Sequence, residues 1–118
     1  KNYQARQDLH LNVDPNQLRQ ALLNVLLNGI EAMPQGGTLT ISSLVTSTSY
    51  FIITIEDTGV GISREDLSQI FDPFFSKKDS GTGLGLSITE TLIKNHKGII
   101  QIKSQVGVGT VVEIELPC

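Results

Sequence analysis

The sequence has 118 residues and a single cysteine, Cys118 at its last position, which excludes a disulfide framework and any zinc site built on several cysteines. It has no run of 18 apolar residues and no signal-peptide pattern at its start, so no membrane span or secretory leader is expected. It also lacks an excess of positive charge. Nine basic residues face twelve acidic ones, a formal net of −3, which argues against a nucleic acid partner or direct membrane contact. Charged residues amount to 18%, below the usual ~25%, and no linker or internal repeat divides the chain. A single domain over residues 1–118, with a core large enough to fold without staples, is the expectation. The scarcity of cysteine fits a reducing compartment, the cytoplasm, and a domain of a larger membrane-anchored protein would read the same way.

What the sequence does contain is a clear succession of strand and helix periods. Leu9, Leu11 and Val13 alternate with His10 and Asn12, a short half-buried strand. Asp14-Pro15 reads as an N-cap followed by proline at the first helical position, with Gln17 placed to reach back as a capping-box partner. Leu18, Leu22, Val25, Leu26 and Met33 then recur at helical spacing over about five turns of ~3.6 residues, until Pro34-Gln35-Gly36-Gly37 stops the helix. Two β-rich runs, 38–45 and 50–56, flank a polar stretch at 46–49 and predict a hairpin. Ser63 is expected to cap a short helix through Ile70. A second long helix is expected from within 83–86 to about His96, ended by Lys97-Gly98. Residues 99–103 and 110–116 make a last strand pair across Gly107-Val108-Gly109. This order predicts an α+β fold, a two-layer sandwich of a mixed, largely antiparallel sheet with helices packed on one face.

Four constellations carry possible chemistry. Asn24 and Asn28 stand four apart on the long helix, so their amides point the same way. They suit an oxygen-ligated cation, phosphate oxygens or plain water. Gly29, beside them, costs about 1 kcal/mol against alanine in a helix and suggests close approach of another group. Asp57-Thr58-Gly59-Val60-Gly61 follows an apolar strand; its carboxylate can accept from an exocyclic amine, or the segment is an ordinary glycine-bearing turn. Gly81-Thr82-Gly83-Leu84-Gly85-Leu86 can aim backbone N–H groups and a helix N-terminus at phosphate, or serve as a flexible turn. No strand precedes these glycines and no Lys-Ser or Lys-Thr pair follows them, so neither a dinucleotide fingerprint nor a Walker loop is present. Gly107-Val108-Gly109-Thr110 alone reads as a hairpin.

Taken together and in this order, the blocks resemble the ATP-binding catalytic domain of sensor histidine kinases, within the gyrase, chaperone, histidine kinase and MutL-type ATPase superfamily. The resemblance covers the chain from about Leu9 to Pro117. Residues 23–32 look like the family's asparagine box, 57–62 its first glycine box, Phe71-Asp72-Pro73-Phe74-Phe75 its phenylalanine box, 81–86 its second glycine box and 107–110 its final glycine-threonine element. The resemblance implies that Asp57 accepts from the adenine N6 amine, that Gly61 lets the backbone approach the ring, with Gly59 and Ile62 of the same box also nucleotide-binding, and that Thr110 completes the adenine contacts through water. It implies Mg²⁺ on the amide oxygen of Asn28 with Asn24 helping, and places Asn24 and Lys78 in the catalytic role. Lys78, with Lys77 as a second candidate, would meet the ATP phosphates. Gly81, Gly83 and Gly85 would form a phosphate-facing lid hinge, with Thr82, Leu84 and Leu86 in the same box and Phe75 bordering the nucleotide. The implied partners are the protein's own dimerisation helix bearing a phosphoacceptor histidine, and a response regulator receiver domain. The domain itself is expected to be monomeric.

The pattern also departs from the family. Gly29 stands where alanine is usual, Glu31 where a basic residue is frequent, and Lys97 where glycine is frequent, at a turn. Neither His10 nor His96 has the setting of a phosphoacceptor; His96 ends a helix, where a cation suits the dipole. The hydrolysing branch of the superfamily carries a glutamate as general base one turn before the metal-binding asparagine. Asn24 occupies that position and cannot take a proton, which favours phosphoryl donation over a hydrolysing clamp. An anti-sigma-type serine kinase and a module that only binds nucleotide are the other readings.

Overall fold

The computed structural model describes residues 13–72 and 85–118; the expected first strand up to Asn12, with its His10, and Phe75, Lys77, Lys78, Gly81, Thr82, Gly83 and Leu84 lie outside them. The described elements are α1 (Pro15–Glu31), β1 (Leu39–Val45), β2 (Tyr50–Asp57), α2 (Arg64–Leu67), α3 (Gly85–Asn95), β3 (Ile99–Gln105) and β4 (Gly109–Pro117). The helix expected through Ile70 is a single turn, capped as anticipated by the Ser63 hydroxyl, which accepts from Asp66 N–H at 3.1 Å.

Helix α1 begins where its cap chemistry directs. The Asp14 carboxylate accepts from the backbone N–H groups of Asn16 and Gln17 at 2.9 and 3.2 Å, two of the donors that a helix start leaves unpaired. Pro15 follows at the position where a missing N–H removes no bond. The expected return reach of the Gln17 side chain does not occur. Instead, Asp14 N–H donates to Nε2 of His96 at 3.0 Å, while Nδ1 of His96 lies 2.8 Å from the Leu92 carbonyl. An N–H can only donate and a carbonyl can only accept, so these bonds define the neutral Nδ1–H tautomer. His96 is therefore a clamp between the end of α3 and the start of α1, and not the cation expected at a helix terminus.

Helix α3 closes with a Schellman motif: Gly98 N–H donates to the Ile93 carbonyl and Lys97 N–H to the Lys94 carbonyl, both at 2.9 Å. The motif needs left-handed backbone at position 97, and Lys97 has φ +64°. A lysine there bears a left-handed penalty of ~1–2 kcal/mol, partly offset by the greater freedom glycine has when unfolded. Lys97→Gly is expected to raise stability by about 1 kcal/mol, read as a higher urea midpoint at unchanged slope. A lower midpoint would show that the lysine side chain contributes more than its backbone strain costs.

The four described strands form one antiparallel sheet in the order β1-β2-β4-β3. Because side chains alternate along a strand, the register stacks them into rows on the helix-facing side. One row is Ile41, Ile55, Val112 and Ile102; the next carries Ser43, Ile53, Ile114 and Ile100; Phe51 and Leu116 extend it. Ala21 and Val25 of α1 and Ile93 of α3 bury themselves against these rows, with Leu18, Leu22, Leu26, Leu86 and Leu92 packed around them. The opposite face carries Thr54, Glu56, Glu113, Glu115, Gln101 and Lys103, as expected of an antiparallel sheet open to water on one side. The architecture is the expected two-layer α+β sandwich.

Candidate functional site

The last inward row of the sheet differs from the others. Leu39, Asp57, Thr110 and Ser104 align across all four strands, so three of its four members are polar. Asp57 is 7% exposed and Thr110 8%. A carboxylate so enclosed requires a reason, since burying a charge without donors is costly. One oxygen, Oδ1, accepts from Gly59 N–H at 2.8 Å. The other, Oδ2, faces α1 at Gly29: a Cβ built on that glycine would stand 3.5 Å from Oδ2 and 2.9 Å from Cδ1 of Leu39. Gly29 thus lets α1 cross close above the acidic end of the row, the approach its presence in a helix suggested. Asn28 is its chain neighbour, and Asn24 lies one turn earlier, both half-buried. The Asn24 Oδ1 accepts from Gln20 Nε2 at 3.1 Å.

The loop after Asp57 is clamped on two sides. Toward α1, Val60 N–H donates to the Ala32 carbonyl at 3.0 Å, and a Cβ on Gly59 would stand 2.5 Å from that oxygen. Toward the β3–β4 turn, Gly107 N–H donates to the Val60 carbonyl at 2.9 Å and Ile62 N–H to Ser104 Oγ at 2.7 Å. Gly61, at φ +79°, would drive a Cβ into the Gln105 carbonyl. The glycines at 59 and 61 are therefore required by contacts within the protein, a reason that the expectation of ring approach did not include. Gly109 serves the same end of the sheet: a Cβ there would strike the Asp57 carbonyl oxygen.

Of the residues singled out from sequence, the structure brings Asp57, Gly59, Gly61, Ile62 and Thr110 to one end of the sheet, beneath the α1 turn that carries Asn24 and Asn28. Leu86 packs against the core cluster, and Gly85 opens α3. Ser104 was missed. Its signal was present in the alternation Ile100, Ile102, Ser104, which puts a hydroxyl where the pattern demands an inward apolar residue.

What Asn24 and Asn28 themselves can offer a metal is neutral amide oxygen. Among the described residues no group of three or more His, Cys, Asp or Glu is placed to hold a metal. Hard oxygen donors in small number fit Mg²⁺, which keeps several waters and takes phosphate oxygens, better than a softer ion.

The chain resembles known proteins over nearly its whole length. Residues 13–118 match the family model described as histidine kinase-, DNA gyrase B-, and HSP90-like ATPase. Sporulation kinase C of Bacillus subtilis (strain 168) is 44% identical over 99% of this chain and 27% of its own length. Sensor histidine kinase ZraS of Salmonella typhi is 43% identical over 91% of this chain and 23% of its own. The nucleotide-free catalytic domain of histidine kinase ThkA superposes with a TM-score of 0.82 at 34% identity, covering 95% of this chain and 73% of that one. The chain belongs to the histidine kinase-, DNA gyrase B- and HSP90-like ATPase family, as an ATP-binding catalytic domain of the sensor histidine kinase kind. It spans about a quarter of the length of those curated relatives. Among the described residues no helix is long and apolar enough to cross a membrane.

Proposed function

We propose that this domain binds Mg·ATP at the polar end of the sheet and donates the γ-phosphoryl group to a histidine on a separate dimerisation helix of the same kinase. The phosphoryl group then passes to an aspartate of a response regulator receiver domain. The observation that carries this reading is the enclosed Asp57 carboxylate: one oxygen is tied to its own loop, and the other, facing α1 at Gly29, is the acceptor we assign to the amino group of adenine. Thr110, next in the row, supports the same ring edge. Asn28, with Asn24, would hold Mg²⁺ through amide oxygens; the ion when bound offsets phosphate charge. Lys78 and Lys77 are the proposed phosphate contacts, and Gly81, Gly83 and Gly85 the proposed hinge of the segment that covers them.

In the transfer, a nitrogen of the acceptor imidazole forms a bond to the γ-phosphorus as the bond to the ADP oxygen breaks, and the imidazole releases its proton. Such a step needs positioning and charge stabilisation more than a protein base, which agrees with Asn24 in place of a carboxylate. A cytoplasmic location follows from the need for ATP. The test is incubation of this domain with γ-labelled ATP and the helical acceptor domain of its full-length kinase. Acid-labile label on histidine is the expected result. Acid-stable label on serine, or hydrolysis without any labelled protein, would transfer the assignment to a serine kinase or a clamp.

A further inference from the structure

Ser104 is the one polar member of the inner row that the nucleotide reading does not use, yet its hydroxyl makes three hydrogen bonds. It accepts from Ile62 N–H at 2.7 Å, donates to the Gly109 carbonyl at 3.0 Å, and lies 2.7 Å from Thr110 Oγ1. A serine hydroxyl owns one proton. With that proton on the Gly109 carbonyl, which can only accept, Thr110 must be the donor in the Ser104–Thr110 pair. Because β4 lies between β2 and β3, Thr110 then directs its proton toward Ser104 and away from Asp57. What it keeps for any group on the Asp57 side is lone pairs alone.

We infer that Ser104 is a positioning residue for base selectivity: it holds Thr110 as a pure acceptor beside the Asp57 carboxylate and pins the Ile62 end of the glycine loop. The inference rests on the purine site proposed above. An edge made of two acceptors receives an amino group, directly or through a water. It offers no proton to a carbonyl at the same ring position, which is what guanine presents in place of the adenine amine. Sites built to receive a donor reject the analogue lacking it because their own polar atoms are left unpaired. Without the Ser104 hydroxyl, Thr110 is free to rotate and to donate toward the Asp57 side.

The experiment is calorimetric titration of the chain and its Ser104 variants with ATP and with GTP. In Ser104→Ala the preference for ATP over GTP is expected to fall about tenfold, the weight of one hydrogen bond. Ser104→Thr and Ser104→Val have the same shape and both suit a strand, so they decide the matter even if the alanine variant folds poorly. Threonine should keep the preference and valine should lose it. A purely structural serine would weaken both nucleotides alike, leaving the ratio unchanged; that outcome, or a parent chain without preference, overturns the inference while leaving the purine site standing. A parent chain that binds neither nucleotide overturns both.

Discussion

Asp57→Ala is expected to weaken adenine nucleotide binding by ~1.5–3 kcal/mol, a loss of about 10- to 150-fold, because a hydrogen bond to a charged group is worth that much. The variant also removes the acceptor for Gly59 N–H, so part of the loss comes from a loosened loop. Asp57→Asn separates the two effects. Its amide oxygen takes over the bond from Gly59, which favours the orientation that places the NH₂ group where Oδ2 now stands. A donor then meets the donor edge of adenine. The expected outcome is near-parental stability in urea with binding still reduced at least about tenfold. Parental affinity in Asp57→Asn would remove the carboxylate from base recognition.

The second large effect lies at a glycine. In Gly109→Ala the new methyl group falls inside contact distance of the Asp57 carbonyl, which is backbone of the central strand pair and cannot swing aside. Gly109 also sits at φ +145°, a conformation alanine rarely adopts. Strain and lost ladder bonds together should cost about 3 kcal/mol or more, read from urea unfolding. Gly107→Ala is the internal comparison. It has φ +83° and nothing within 4 Å of its added Cβ, so only the left-handed penalty of ~1–2 kcal/mol applies. Equal losses in the two variants would mean that the close approach at Asp57 is relieved by movement of the turn.

Much of the fold was legible locally. The bounds of β1 to β4 and of α1 fall within a residue or two of the sequence expectation, because alternation, an Asp-Pro start and a Pro-Gly stop all act within a few residues. The helix expected through Ile70 stops at Leu67: Ser63 announces the start and Leu67, Ile70 and Phe71 keep helical spacing, but the chain beyond runs on in i→i+3 turns, Gln69 N–H to the Asp66 carbonyl and Ile70 N–H to the Leu67 carbonyl. Gly29 and Lys97 were both visible as oddities; the close approach that Gly29 suggests is found, but neither its partners nor the backbone demand at Lys97 was legible. One faces Leu39 and Asp57, the other occupies the left-handed position of a Schellman motif.

Periodicity and capping chemistry thus determined which residues form helices and strands, and which side of each strand turns inward, since these follow from neighbours along the chain. Only the tertiary structure decided what each inward polar group meets. Asp14 finds His96 across 82 residues and Ile62 finds Ser104 across 42, and no local rule encodes such partners. The neutral tautomer of His96 and the acceptor character assigned to Thr110 both arise there, because a hydrogen bond's direction is set by the group on its other side.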